Sequence, residues 1–534
     1  MDLPRFLQLA LHELESGAAE KCRSICDEIL AAEPGLIHAI YLRGCAAFET
    51  GDIDQSVNDL DVVFANHPEH LHAAFYLGRS LRAAGRFDEA LESLRAAIAS
   101  DELAVRAHYE LGTCLAQLRR RREAIRHYEK ALALQPHNAQ VAANLGALLE
   151  RENRLDEAGS FVARALEIDP RNHTARMLRA TLDRRTGKGE DAAQQLQNLI
   201  PELDNAVNRS LAWNQLGQCM EALGDWERAF DAFTESNRLL HETQITAQPN
   251  PEEPHSLETL ARIRAWLEQE PIRNWNPPGE NDPGGIAFLV GFPRSGTTLL
   301  DRMLRVHPDV EILEEKSLFA ELHRNWSEPG VLESLADVND AQIDDARSIY
   351  RRAMSRHRQE PGRALVVDKL PLNLAYVFLI HRLFPQAPIL FLQRHPVDAC
   401  ISCFFQSFEL NTAMGYFLDL EQTARYYDAV MQVASLSLEQ VGSPVHTLRY
   451  EDLVTAPKAE LEGLVRFLGI EWNDAVLDYR QAAGGKSSDT PSYQQVSQPL
   501  YTRSIGRWRH YQTQLSPVLP IIQPWVDRLG YGPE

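Results

Sequence analysis

The residues with the most chemical content lie between positions 286 and 300, IAFLVGFPRSGTTLL. The apolar, β-branched run Ile286–Val290 reads as a buried strand. It breaks at Gly291-Phe292-Pro293 and resumes as a helix from about Ser295. A strand, a glycine-bounded loop and a helix aim several backbone N–H groups and a helix N-terminus at an anion. Gly291-x4-Gly296 has the spacing of a phosphate-binding loop, but Thr297-Thr298 stand where a triphosphate-binding loop carries Lys-Ser or Lys-Thr. The nearest cation is Arg294, inside the loop. With the amides around Gly296 and the hydroxyls of Ser295, Thr297 and Thr298, it suits a donor that ends in one anionic group and needs no magnesium. A phosphate-loop kinase is the rival reading, and the missing lysine, which would pair with the transferred phosphate, counts against it.

Such a loop needs a sheet to hold it. Three more apolar runs are each followed by a helical pattern: Ala364–Asp368 before a helix from about Asn373, Ile389–Gln393 before one from about Val397, and Val445–Arg449 before one from about Pro457 to Leu468. Apolar strands alternating with helices predict a mostly parallel sheet covered on both faces. Ligands of such sheets lie beyond the carboxyl ends of the strands. The candidate residues fall there: Arg294 and Thr297 after the first strand, Lys369 after the second, Arg394 after the third.

The first half of the chain repeats with a period of about 34 residues. Gly78, Gly112 and Gly146 keep that spacing, as do Ala90, Ala124 and Ala158, and Ala97, Ala131 and Ala165; Pro34, Pro68, Pro136 and Pro170 close units in the same register. A shifted unit follows with Trp213, Leu216, Gly217, Ala229 and Phe233. This is the tetratricopeptide pattern of helix pairs stacked into a solenoid, about six or seven in all, whose concave face serves to bind an extended peptide or another protein. Arg119–Arg122 fall in a turn between two helices and read as a solvated loop. Dense Pro, Gly and Asn in AQPNPEEP and NWNPPGENDPGG, around the amphipathic segment Ser256–Glu268, mark a junction.

PRSGTTLL, followed by HPDV and then Glu314-Glu315, resembles the 5′-phosphosulfate loop of sulfotransferases that use 3′-phosphoadenosine 5′-phosphosulfate (PAPS). Within that superfamily it is most similar to the protein-tyrosine sulfotransferases and their bacterial relatives with tetratricopeptide repeats. The resemblance runs from Ile286 to about Trp508. It implies an α-solenoid over 1–243, a linker with a short helix over 244–285, and a phosphate-loop-type α/β sulfotransferase domain over 286–534. It also implies transfer of a sulfuryl group to an acceptor hydroxyl, on a tyrosine of a protein or peptide recruited by the repeats, or on a saccharide or small molecule; a catalytically inactive protein-binding scaffold is the alternative outside enzymes.

The same resemblance assigns roles. Glu315 is the implied base, with His307 and His395 as rivals; His395 stands where many relatives have Asp. Arg294 and Lys369, the latter in Lys369-Leu370-Pro371, are the cations that meet charge on the bridging oxygen. Arg394 and Ser402, in LQRHPVDACISCFF, are implied to bind the 3′-phosphate. Tyr450, Ser492 and Arg507 are further donor contacts, with Arg507-Trp508 replacing a Lys-Trp of the family. No metal is implied.

Composition bounds the rest. A chain of 534 residues exceeds one core. Hydrophobic content of 44% and charged content of 24% are those of a globular protein. A net charge of −21 excludes a general nucleic-acid binder, which needs a basic face, and obliges any anionic donor to be held by a local basic cluster. The N-terminus is acidic and amphipathic rather than signal-like, no apolar stretch is long enough to span a membrane, and seven cysteines lack disulfide spacing. The chain is therefore expected in the cytoplasm. Cys400-x-x-Cys403 reads as packing, and the oligomeric state is left open.

Overall fold

The 34-residue period is a close helix–helix approach, repeated. In four of the helix pairs a glycine of the first helix faces a large side chain sixteen positions later. A Cβ on Gly44, Gly78, Gly112 or Gly217 would lie 2.8, 2.5, 2.5 or 2.9 Å from Leu60, Leu94, Tyr128 or Phe233. Only a glycine permits that contact. The helices paired in this way are Ile37–Glu49 with Ile53–Asn66, Leu71–Ala83 with Phe87–Ala97, Asp101–Gln117 with Arg121–Leu134, and Ala206–Ala222 with Trp226–Gln244. Asp52, His70, Asn138, Asn172 and Asn205 accept backbone N–H groups at the helix starts, and Pro34, Pro68, Pro136 and Pro170 each fall two residues after a second helix ends.

This computed structural model describes residues 2–244, 253–272, 275, 284–319, 322, 333–479 and 500–532. The chain forms two compact units, Met1–Thr186 and Gly187–Glu534. The first is solenoid throughout, with a core running from Ile29 to Leu182. Its Arg119 adopts a positive φ of 60° in a turn, and Arg120 pairs with Glu123 at 2.7 Å. The second unit begins inside the repeat series, not after it. It takes the helix Gly189–Leu199, the last pair Ala206–Ala222 and Trp226–Gln244, the helix Leu257–Gln269, and the α/β domain.

That domain is built on five parallel strands: β1 Ile286–Val290, β2 Val310–Glu314, β3 Leu365–Lys369, β4 Ile389–Gln393 and β5 Val445–Arg449. Their order is β2-β3-β1-β4-β5, with Glu314 beside Lys369 and Gln393 beside Arg449 at the carboxyl edge. One face buries Ala287, Leu289, Val367, Leu390 and Leu392 against Leu300, Leu304, Leu461 and Leu464. The other carries Phe288 among Phe319, Tyr350 and Phe384. Two elements differ from expectation. β2 is a strand where the sequence showed only a motif, and the segment after β3 is a 3-10 turn, Pro371–Tyr376, before the α-helix Val377–Leu383, because a proline follows the strand so closely. Among the described residues no helix is long and apolar enough to cross a membrane.

Candidate active site

Close packing fixes the phosphate-type loop. A Cβ on Gly291 would lie 2.6 Å from the Leu392 carbonyl oxygen, and one on Gly296 would lie 2.5 Å from the Tyr450 ring. Gly296 has φ +99 and starts the helix Thr297–Arg305 with no side chain capping it, so the positive end of that helix faces the loop interior. Arg294 also has a positive φ, 67°. Ser295, Thr297 and Thr298 are buried along the same turn.

Because all five strands are parallel, each delivers a predicted site residue to one edge: Arg294 after β1, Glu315 after β2, Lys369 at the end of β3, Arg394 after β4 and Tyr450 after β5. The first cluster forms at the β2–β3 end. Lys369 is fully buried, and its Nζ lies 2.6 Å from Glu315 Oε1 and 3.9 Å from Glu314 Oε1. Glu315, at φ 51, turns back over the strand ends, and its N–H donates to the Lys369 carbonyl at 2.8 Å. Glu314 also accepts from Arg305 at 3.2 Å, and Arg305 forks onto Asp301 at 2.9 and 3.0 Å. Burial, and then Glu314, push the Asp301 carboxyl up to about 6.

Arginines make the second cluster. Arg394 donates to the Arg294 carbonyl at 2.9 Å and to the Ser504 carbonyl at 2.6 Å, and its guanidinium lies 5.0 Å over the Tyr450 ring. Its buried Nε has no hydrogen-bond partner among the described residues. Arg294 Nε donates to Ser402 Oγ at 3.2 Å. Burial, aided by the neighbouring Arg394 and Arg507, lowers the Arg294 pKa to about 10. Two buried guanidiniums side by side, one holding an unused N–H, form a site that an anion would complete.

The remaining predicted residues are placed as follows. Arg507 forks onto Glu221 at 2.7 and 2.5 Å and lies 4.9 Å over the Phe405 ring. Its guanidinium is thus already partnered, within electrostatic reach of Arg294. The Trp508 ring stacks on His395 at 5.3 Å. Asp398 holds this segment by accepting the N–H groups of Gly506 and Trp508 at 2.7 and 2.9 Å. Burial lowers His395 to about 4. The two ring nitrogens of His307 are bound to backbone, at Glu471 O (2.7 Å) and Asp309 N (3.2 Å), so it closes the end of the loop helix. Cys400 and Cys403 are buried, and the Cys403 thiol donates to the Pro293 carbonyl at 3.4 Å. Ser492 lies outside the described residues.

Sequence reasoning did not reach Asp301, Arg305, Asp398 or Glu221. For Asp301 and Arg305 the signal was present, an acid and a base four apart on the loop helix. Glu221 and Arg507 are separated by 286 positions, so no local pattern connects them.

Comparison with known proteins agrees with this architecture. Residues 287–474 match the sulfotransferase family, and residues 41–101, 77–120 and 115–182 match tetratricopeptide repeats. The chain is 30% identical over 264 residues to protein-tyrosine sulfotransferase 1 of Danio rerio, covering 46% of this chain and 72% of that protein. It is 25% identical over 336 residues to an uncharacterized protein of Aquifex aeolicus, covering 60% of this chain and 42%, under half, of that one. Among solved structures, a tetratricopeptide repeat protein from Parabacteroides merdae is similar at 15% identity and a TM-score of 0.38, over 44% of this chain and 92% of that chain.

Proposed function

Since this chain belongs to the sulfotransferase family and carries tetratricopeptide repeats ahead of its α/β domain, we propose that it transfers a sulfuryl group from PAPS to a tyrosine hydroxyl of a protein or peptide recruited by the repeats. The observation that carries this reading is the Lys369–Glu315 pair at 2.6 Å, set on the same strand edge as the arginine cluster. One end of the edge supports proton transfer and charge neutralisation, and the other supports anion binding.

The fit to the donor rests on the buried Nε of Arg394, which lacks a partner among the described residues, and on Arg294, a guanidinium whose burial works against its charge, a cost that an anion would offset. Bound there, PAPS supplies an activated sulfur. The residues do the rest. Arg394 and Ser402 hold the 3′-phosphate, and the loop amides with Ser295, Thr297 and Thr298 hold the 5′ side. Glu315 takes the proton of the phenolic hydroxyl as the acceptor oxygen bonds to sulfur. Lys369 and Arg294 meet the negative charge left on the bridging oxygen as the old sulfur–oxygen bond breaks, and that charge leaves with adenosine 3′,5′-bisphosphate. Seven cysteines without disulfide partners suit the reducing cytoplasm in which we place the enzyme.

The test is an acceptor panel with sulfur-labelled PAPS: a tyrosine peptide, the same peptide with phenylalanine, a saccharide and a small phenol. Label on the tyrosine peptide and none on its phenylalanine counterpart supports the reading. Label confined to the saccharide or phenol replaces the acceptor, and no label anywhere overturns the reaction.

A further inference from the structure

The last repeat pair does more than continue the solenoid. Within the second unit, Asn214 of the helix Ala206–Ala222 donates its side-chain N–H to the Phe405 carbonyl at 3.0 Å, and Asn237 of Trp226–Gln244 donates to the Phe404 carbonyl at 2.8 Å. Both asparagines are buried, 4% and 2% exposed. The carbonyls they cap end the helix Pro396–Phe404, which carries Ser402. A helix leaves its last carbonyls without internal partners, and here two side chains from 167 and 191 positions away supply them.

Ring packing reinforces the join. Phe233 stacks on Phe405 at 4.1 Å, and Phe230 lies 5.5 Å from Phe404. Phe233 is the large residue admitted by Gly217, so the repeat signature itself sets that ring against the Ser402 helix. Ser210 and Ser236, hydrogen-bonded at 3.0 Å, clip the two repeat helices together. On the same side Glu221 accepts both Arg507 N–H groups and the Tyr511 hydroxyl.

We propose that Asn214, Asn237 and Glu221 are positioning residues of the donor site, contributed by the last repeat pair. They fix the carboxyl end of the Ser402 helix and the guanidinium of Arg507. The inference rests on the sulfotransferase reading, in which Ser402 and Arg394 take the 3′-phosphate. It makes these repeat helices part of the nucleotide-binding machinery instead of a separate recruiting module.

Calorimetry on the full chain tests it, with adenosine 3′,5′-bisphosphate and adenosine 5′-monophosphate as probes. Wild type must first prefer the 3′-phosphorylated nucleotide; absence of that preference removes the parent reading and this one with it. Given the preference, Asn237→Ala is expected to weaken adenosine 3′,5′-bisphosphate by roughly three- to tenfold, the worth of one neutral hydrogen bond. Adenosine 5′-monophosphate should hold its affinity, and stoichiometry should stay near one. A purely structural role would lower the fraction of active protein without changing this ratio. Unchanged affinity for both nucleotides, or equal loss for both, overturns the proposal while leaving the reaction intact. Asn214→Ala, capping the adjacent carbonyl, gives the same reading if Asn237→Ala does not fold.

Discussion

Glu315 is held by two features that do not depend on a bound ligand: a left-handed backbone at φ 51 and an ion pair of 2.6 Å with a fully buried lysine. The turn brings the carboxylate back over the strand ends to Lys369, while about a third of the side chain stays open to solvent. Glu315→Gln keeps that shape and a hydrogen-bond acceptor but cannot take a proton. Turnover is expected to fall by about 10²–10⁴-fold, the usual worth of a general base, with affinity for adenosine 3′,5′-bisphosphate nearly unchanged. Steady-state rates and a parallel binding titration check both halves. An acceptor phenol acidified by ring substitution is already ionised near neutral pH and should partly rescue the variant. His307 is no substitute, because both its nitrogens serve the backbone. Much of this was legible in the sequence, where Arg294, Lys369 and Arg394 follow successive apolar runs and a parallel sheet must bring such positions together.

At the scale of elements, β3 carries two ionisable neighbours that point to opposite faces, as strand alternation requires. Lys369 goes to the site. Asp368 goes beneath Tyr350, whose hydroxyl donates to it at 3.0 Å, while Asp368 Oδ1 has no partner among the described residues. Burial pushes its pKa up to about 7 from 3.8. The folded state therefore holds this proton where the unfolded chain has released it. Its contribution to stability is full below about pH 4, falls as pH rises toward 7, and stays low above that. Asp368→Asn should remove this slope. The variant is expected to be more stable than the parent at pH 8, by up to about 4 kcal/mol for a rise from 3.8 to about 7, and so to melt at a higher temperature there, with the advantage gone at pH 4. Melting curves across that range decide it. β2 shows why an element escaped the sequence: VEILE places Glu311 inside a strand. That carboxylate is satisfied by Arg358 at 2.7 Å and the N–H groups of Gln359 and Glu360 at 2.6 and 2.9 Å. Those partners lie 47 to 49 residues on, beyond any local pattern.

For the whole molecule, the division between the compact units at Thr186 and Gly187 matters more than the Pro- and Gly-rich junction that the composition marks. The repeat glycines announced the solenoid, and Gly217, though shifted from the 34-residue register, keeps the same sixteen-residue spacing to its large partner as Gly78. What differs is what the large partner touches next, Phe405 in one case, and that is a long-range fact. A chain starting at Gly187 is expected to keep nucleotide affinity within about twofold, since the described donor-side groups lie after that point. A chain starting near Pro271 loses Asn214, Glu221 and Asn237 and is expected to bind the 3′-phosphorylated nucleotide at least tenfold more weakly, about 1.4 kcal/mol. Titration of the two truncations side by side checks this.

The central claim is that the carboxyl edge of this sheet binds a 3′-phosphorylated adenine nucleotide and not a nucleoside triphosphate. Calorimetric titration of the full chain with adenosine 3′,5′-bisphosphate in chelator, beside ATP with magnesium, measures it directly. One site is expected for adenosine 3′,5′-bisphosphate, at least roughly tenfold tighter than ATP, with about 1.5–3 kcal/mol lost in Arg394→Ala as a charge-assisted bond to the phosphate disappears. ATP with magnesium binding as tightly as adenosine 3′,5′-bisphosphate, or Arg394→Ala binding the latter as well as wild type does, would contradict the claim.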